Sequence, residues 1–81
     1  MPSPATLFHD VLVVCDQTGE EWTAATAEVR EGLVYVPMPT FTYTPGRTYT
    51  LTGRDGGERL RSFLSVTVEW PRSADGVVAF R

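Results

Sequence analysis

Thr40–Gly57, TFTYTPGRTYTLTGRDGG, decides the fold. Thr alternates with Phe or Tyr from Thr40 to Thr44, and with Tyr or Leu from Thr48 to Thr52. Pro45-Gly46 separates the two runs, and Gly53-Arg54-Asp55-Gly56-Gly57 closes the second. Period-two alternation of β-branched and aromatic residues, bounded by Gly and Pro, is the mark of antiparallel strands. Pro followed by Gly favours a type II turn, which splays a two-residue hairpin. An odd-length loop, Thr44-Pro45-Gly46, or a wider connection is therefore expected. With the odd loop, Phe41, Tyr43, Tyr49 and Leu51 share one face, and Thr42, Thr48 and Thr50 share the wet one.

Working outward, Phe8–Cys15 reads as a strand, with Val11–Val14 as a continuous apolar run. Asp16-Gln17-Thr18-Gly19 and Arg30-Glu31-Gly32 read as turns, and Leu33–Val36 as a short strand stopped by Pro37-Met38-Pro39. Glu20–Val29 is ambiguous, since Ala24–Glu28 has fair helix propensity but the segment also alternates. Strands on both sides favour a strand here. Glu58–Trp70 alternates with Leu60, Ser62, Leu64, Val66, Val68 and Trp70 on the side assigned to the core. That run exceeds an ordinary strand, which calls for a bend or bulge near Arg61–Phe63, as in a strand serving two sides of a small barrel. Val77–Arg81 closes the chain. Met1–Thr6 is expected to fray.

The fold expectation is thus all-β: one domain over residues 1–81, a small antiparallel β-barrel or sandwich of about six short strands, with at most one short helix. A chain of 81 residues is near the lower size limit for independent folding. Cys15 is the only cysteine and His9 the only histidine, so neither an intrachain disulfide nor a four-ligand zinc site assembles from these two types. Stability must come from packing or from self-association.

The net charge of −3 opposes nucleic-acid binding, which runs on cation release from phosphates. Met1–Val36 holds six carboxylates against Arg30 alone, a net of −5, whereas Pro37–Arg81 holds six Arg against four carboxylates, a net of +2. Such asymmetry can create two faces of opposite sign, suited to a protein partner or head-to-tail contact. Lys, Asn and Ile are absent, the imprint of a GC-rich genome. Met1-Pro2-Ser3-Pro4 lacks the basic start of a signal peptide, and Val11–Cys15 is too short to span a membrane. A cytoplasmic location is the default expectation.

No constellation for catalysis stands out, so an enzyme is not expected, nor is a cofactor. His9 and Cys15 fall on one face of one strand but about 20 Å apart, too far for a nucleophile–base pair. The loop Gly53–Arg59 is glycine-rich, yet strands flank it and no helix follows to build a phosphate cradle. It reads as a hairpin tip. The candidate binding residues are Arg54, Arg59 and Arg61, with Arg47 and Tyr49 as neighbours, since guanidinium beside an aromatic suits carboxylates and phosphates. Of the aromatic residues Trp22, Phe41, Tyr43, Tyr49 and Trp70, most must be core. Any exposed beside an Arg makes a binding hot spot.

From Thr26 onward the order of events resembles a PilZ domain, the small β-barrel of bacterial signalling. Ala27–Gly32, Leu33–Pro39, Pro45–Thr52, Leu60–Trp70 and Gly76–Arg81 follow that family's succession of strands, Pro-Gly turn, long strand ending in Trp and closing strand. Its cyclic di-GMP motifs are missing. No Arg-x-x-x-Arg lies near the amino end, and Glu28, Arg30 and Leu33 occupy the Asp-x-Ser-x-x-Gly positions. The resemblance implies a degenerate member that binds a protein rather than the dinucleotide. The expected function is a non-enzymatic interaction module with a protein partner or a second copy of itself. The alternatives are a barrel binding a nucleotide or other anion through its Arg cluster, or a small structural or host-takeover protein of a GC-rich bacteriophage.

Overall fold

The computed structural model describes residues 6–81 and places them in antiparallel strands, with no helix among them. The strands are β1 (Thr6–Cys15), β2 (Glu21–Arg30), β3 (Leu33–Pro37), β4 (Tyr49–Arg54), β5 (Leu60–Val66), β6 (Val68–Trp70) and β7 (Val77–Phe80). They form one sheet in the order β5-β4-β1-β2-β3-β7-β6. Its two ends, β5 and β6, are halves of a single chain segment joined at Thr67. The Thr67 N–H donates to the Arg81 carbonyl (3.1 Å) and its carbonyl accepts from the Arg81 N–H (2.9 Å). A sheet whose ends are one segment must curl, and the result is barrel-like. The expected fraying of Met1–Thr6 lies outside the described residues, except that Thr6 opens β1.

The ambiguous segment 20–29 is β2. Its residues pair with β1 from Val29 opposite Thr6 to Glu21 opposite Val14, and pairing on a pleated surface outweighs the helix propensity of its alanines. Glu31 (φ 53°) and Gly32 (φ 79°) both take positive φ in the turn to β3, as a two-residue type I′ hairpin requires.

Thr40–Thr44, expected as a strand, is not one. Met38–Thr48 forms the wide connection instead, and the odd-length hairpin is absent. Phe41 leaves the alternating pattern to enter the core, its ring 4.8 Å from Trp22, 5.5 Å from Tyr49 and 5.9 Å from Phe80. Tyr43 stays exposed. Thr48 and Thr50 face outward as expected, but they are tied down. Their hydroxyls donate to the Asp16 carboxylate at 2.9 and 2.8 Å, pinning the β1–β2 turn onto β4.

The core gathers Val11, Val13 and Cys15 from β1, Val34 and Val36 from β3, Tyr49 and Leu51 from β4, and Val78 and Phe80 from β7. Leu60, Leu64 and Trp70, assigned to the core by parity, are instead 62%, 71% and 54% exposed. The cause is a pair of bulges. Tyr49 faces Val66 but Leu51 faces Phe63, so one extra residue sits between them, and Ser65 absorbs it at φ 55°. Before the bulge Phe63 points inward; after it Val66 does. A second irregularity between Val68 and Trp70 turns Trp70 outward, opposite Ala79. The expected bend is real but falls just past Arg61–Phe63.

A third bulge, at Asp10 (φ 53°), shifts β1 against β4 while leaving its register with β2 intact. Gly53 lies beneath it. A Cβ there would stand 3.1 Å from the Phe8 Cβ, a tight contact that would oblige Phe8 to give by a few tenths of an ångström.

Candidate functional site

The bulge at β6 produces the most distinctive surface of the molecule. On the outer face Leu7 pairs with Glu28, Glu28 with Tyr35, Tyr35 with Ala79, and Ala79 with Trp70. This row crosses β1, β2, β3, β7 and β6, a span of about 19 Å at ordinary strand spacing. Leu7 (63% exposed) and Trp70 stand at its two ends. Ala79 is buried beneath the flanking rings of Tyr35 and Trp70, whose centroids lie 6.2 Å apart.

Arg30 completes the surface. Its guanidinium carbon sits 4.2 Å above the centroid of Tyr35, and its Nε forms an ion pair with the Glu28 carboxylate at 3.0 Å. The ring contact and the ion pair hold a long side chain flat in one place, which lowers the entropy a binding event must remove. A groove of about 200 Å³ opens beside it, bounded by Leu7, Thr26, Arg30, Tyr35 and Pro37. By contrast, the gap at the end of the core, between Phe8, Val34, Gly53 and Phe63, measures only about 10 Å³, room for at most one water.

The residues singled out from sequence are divided. Tyr49 is a correction: at 1% exposure it is among the most buried side chains, packed edge-on or tilted among Trp22, Phe41 and Phe80, and it offers no surface. Burial also raises its phenol above the ordinary tyrosine range. Arg47 lies just before β4, whereas Arg54, Arg59 and Arg61 flank the hairpin at its other end. Nor do those three converge. Arg61 opposes Gly53 and Arg54 opposes Leu60, so strand alternation sends Arg54 and Arg61 to opposite faces. Arg54 donates to the Glu58 carbonyl (3.2 Å), and Arg61 pairs with Asp55 at 3.7 Å.

The glycine-rich loop is a hairpin tip organised by its own aspartate. Asp55 accepts from the backbone N–H groups of Gly57 (2.9 Å) and Arg59 (3.0 Å). The Arg59 N–H bond first, and then the Gly57 bond with the charges of Arg59 and Arg61, hold its carboxyl below the ordinary aspartate range. Glu58, at φ 62°, reaches across to His9, whose Nε2 lies 3.0 Å from its carboxylate while Nδ1 lies 3.2 Å from Asp10. No three His, Cys, Asp or Glu side chains among the described residues are placed to share a metal ion.

The charge asymmetry also resolves differently from two opposed faces. The acidic amino-terminal half supplies β1, β2 and β3 at the middle of the sheet, and the basic half flanks them on both sides.

Sequence reasoning stated the rule for the outer row, an exposed aromatic beside Arg, without locating it. One signal was present. Arg30 is the lone cation of an acidic half, and the two-residue turn Glu31-Gly32 sets Glu28 against Tyr35. No protein-family model, curated protein or solved structure matches the chain.

Proposed function

We propose that this protein is a non-enzymatic interaction module that holds an extended segment of a protein partner across the outer row from Leu7 to Trp70. The observation that carries the reading is the packing of Arg30 over half-buried Tyr35, with exposed Trp70 beside that ring. Trp, Tyr and Arg are the residue types most enriched where binding energy concentrates. Two of them are preorganised here, and a groove of about 200 Å³ opens beside them. Glu28 and Arg30 at its rim supply both a carboxylate and a cation to orient the partner's backbone or charges. The absence of the nucleotide motifs from a sequence otherwise resembling a PilZ barrel fits the same reading, as does the expected cytoplasmic setting.

Selection of a displayed random-peptide library on the immobilised chain tests it. Enriched peptides should carry an apolar anchor. Their affinity should drop at least about tenfold with Trp70→Ala or Tyr35→Ala, a loss of about 1.4 kcal/mol. Arg59→Ala with Arg61→Ala should leave it nearly unchanged. The opposite ranking would move the binding surface to the hairpin tip and return the reading to an anion-binding Arg cluster.

A further inference from the structure

We infer that β5 is a self-complementary edge through which two copies of this chain pair into one continuous sheet. β5 is hydrogen-bonded to β4 alone, and its other side has no partner strand among the described residues. The alternation of its backbone is fixed at the hairpin tip. The Arg59 carbonyl accepts from the Asp55 N–H, and the Arg59 N–H donates to the Asp55 carboxylate, so Arg59 is turned toward β4. Arg61 and Phe63 follow it. The N–H and C=O groups of Leu60, Ser62 and Leu64 therefore point to the open edge.

The sequence of that edge, Leu60-Arg61-Ser62-Phe63-Leu64, is nearly palindromic in character. An antiparallel two-fold centred on Ser62 sets Leu60 of one copy against Leu64 of the other, and Ser62 against Ser62. All three outward-facing residues then become hydrogen-bonded pairs, and every free backbone group of the edge finds a partner. Shifting the register by two residues in either direction leaves some of these groups unpaired.

Side chains agree with this register. Leu60 and Leu64 carry the exposed apolar surface of β5, and they meet across the two-fold on the outer face. On the inner face Arg61 stands opposite Phe63 of the second copy, a cation–aromatic neighbour, and not opposite another Arg. Asp55 at 3.7 Å offsets part of its charge, which lessens the repulsion between two basic strands. The strip is short compared with a standard interface of about 1,600 Å², so the pair belongs to the weak, concentration-dependent class.

Sedimentation of the full chain from about 10 µM to about 1 mM covers affinities of that class. The expected result is a monomer at the low end and a sedimentation coefficient climbing toward that of a dimer at the high end. Amide exchange at Leu60, Ser62 and Leu64 should slow at least about tenfold over the same range, while Arg61 and Phe63, already bonded to β4, change little. Ser62→Pro removes an N–H that faces solvent and should keep the fold while abolishing association. Leu60→Lys with Leu64→Lys alters two side chains already in water, so it decides the matter even if the proline variant fails to fold. Trp70→Ala should leave association unchanged. A chain monomeric throughout, association surviving in the folded double-Lys variant, or association lost with Trp70→Ala would each overturn the pairing. The first of these would leave the edge to a foreign strand.

Discussion

Phe63 and Val66 are three residues apart and point to the same side of the sheet, because Ser65 at φ 55° takes up the residue between them. Regular alternation would put them on opposite faces. The bulge therefore selects which half of Glu58–Trp70 is core. Phe63→Ala should cost about 3 kcal/mol and Val66→Ala ~1–3 kcal/mol in urea unfolding, with Thr67→Ala well below the latter. Leu64→Ala should stay within about 0.5 kcal/mol of the parent. A Leu64 loss matching that of Phe63 would mean the register is wrong.

Ser65 itself sits where an L side chain is strained. Ser65→Gly should stabilise the chain by about 1 kcal/mol, and Ser65→Val should destabilise it by at least that much. Melting temperatures of the two variants on either side of the parent would agree with this backbone. Equal melting temperatures would not.

Asp55 makes stability fall in acid. Its folded-state pKa is depressed, so the unfolded chain takes up the proton more readily than the folded one. The stability it contributes is complete above the unfolded aspartate value of about 4, and it is lost as pH falls through the lower folded value. Asp55→Asn should flatten the stability profile between those two values, and chemical unfolding at stepped pH reads the slope. An unchanged slope would show that the turn does not hold the carboxylate.

The two tryptophans report on the two environments. Trp22 packs against Phe41 and Tyr49, whereas Trp70 is more than half exposed. Trp22→Ala should cost about 2 kcal/mol or more, while Trp70→Ala should leave the melting temperature within a few degrees of the parent. In the Trp70→Phe chain, the remaining fluorescence should be poorly quenched by iodide. Strong quenching there would place Trp22 at the surface.

Much of the fold was legible. Phe8–Cys15, Leu33–Val36 and Val77–Arg81 announced themselves through apolar runs between Gly, Pro and Asp, and the structure places strands over all three. The turn at Asp16–Gly19 and the Glu31-Gly32 part of the turn expected over Arg30–Gly32 followed from local residue chemistry, which needs no distant partner. Thr40–Thr44 misled because alternation measures only what a segment could pair with. The segment pairs with no strand, and the aromatic cluster around Tyr49 and Phe80 takes up Phe41 instead.

The candidate site was hidden for a related reason. Whether Trp70 is core or surface depends on two bulges, and a bulge is a compromise between neighbouring strands that leaves little trace in one strand's residues. By itself the sequence determined the β class, most strand positions and the local turns, because side-chain period and turn preference act over a few residues. Only the tertiary structure decided which strands adjoin, which parity of Leu60–Trp70 faces inward, and that Arg30, Tyr35 and Trp70 meet. Those outcomes arise from curling a sheet until one segment supplies both of its ends, a condition imposed on the whole chain at once.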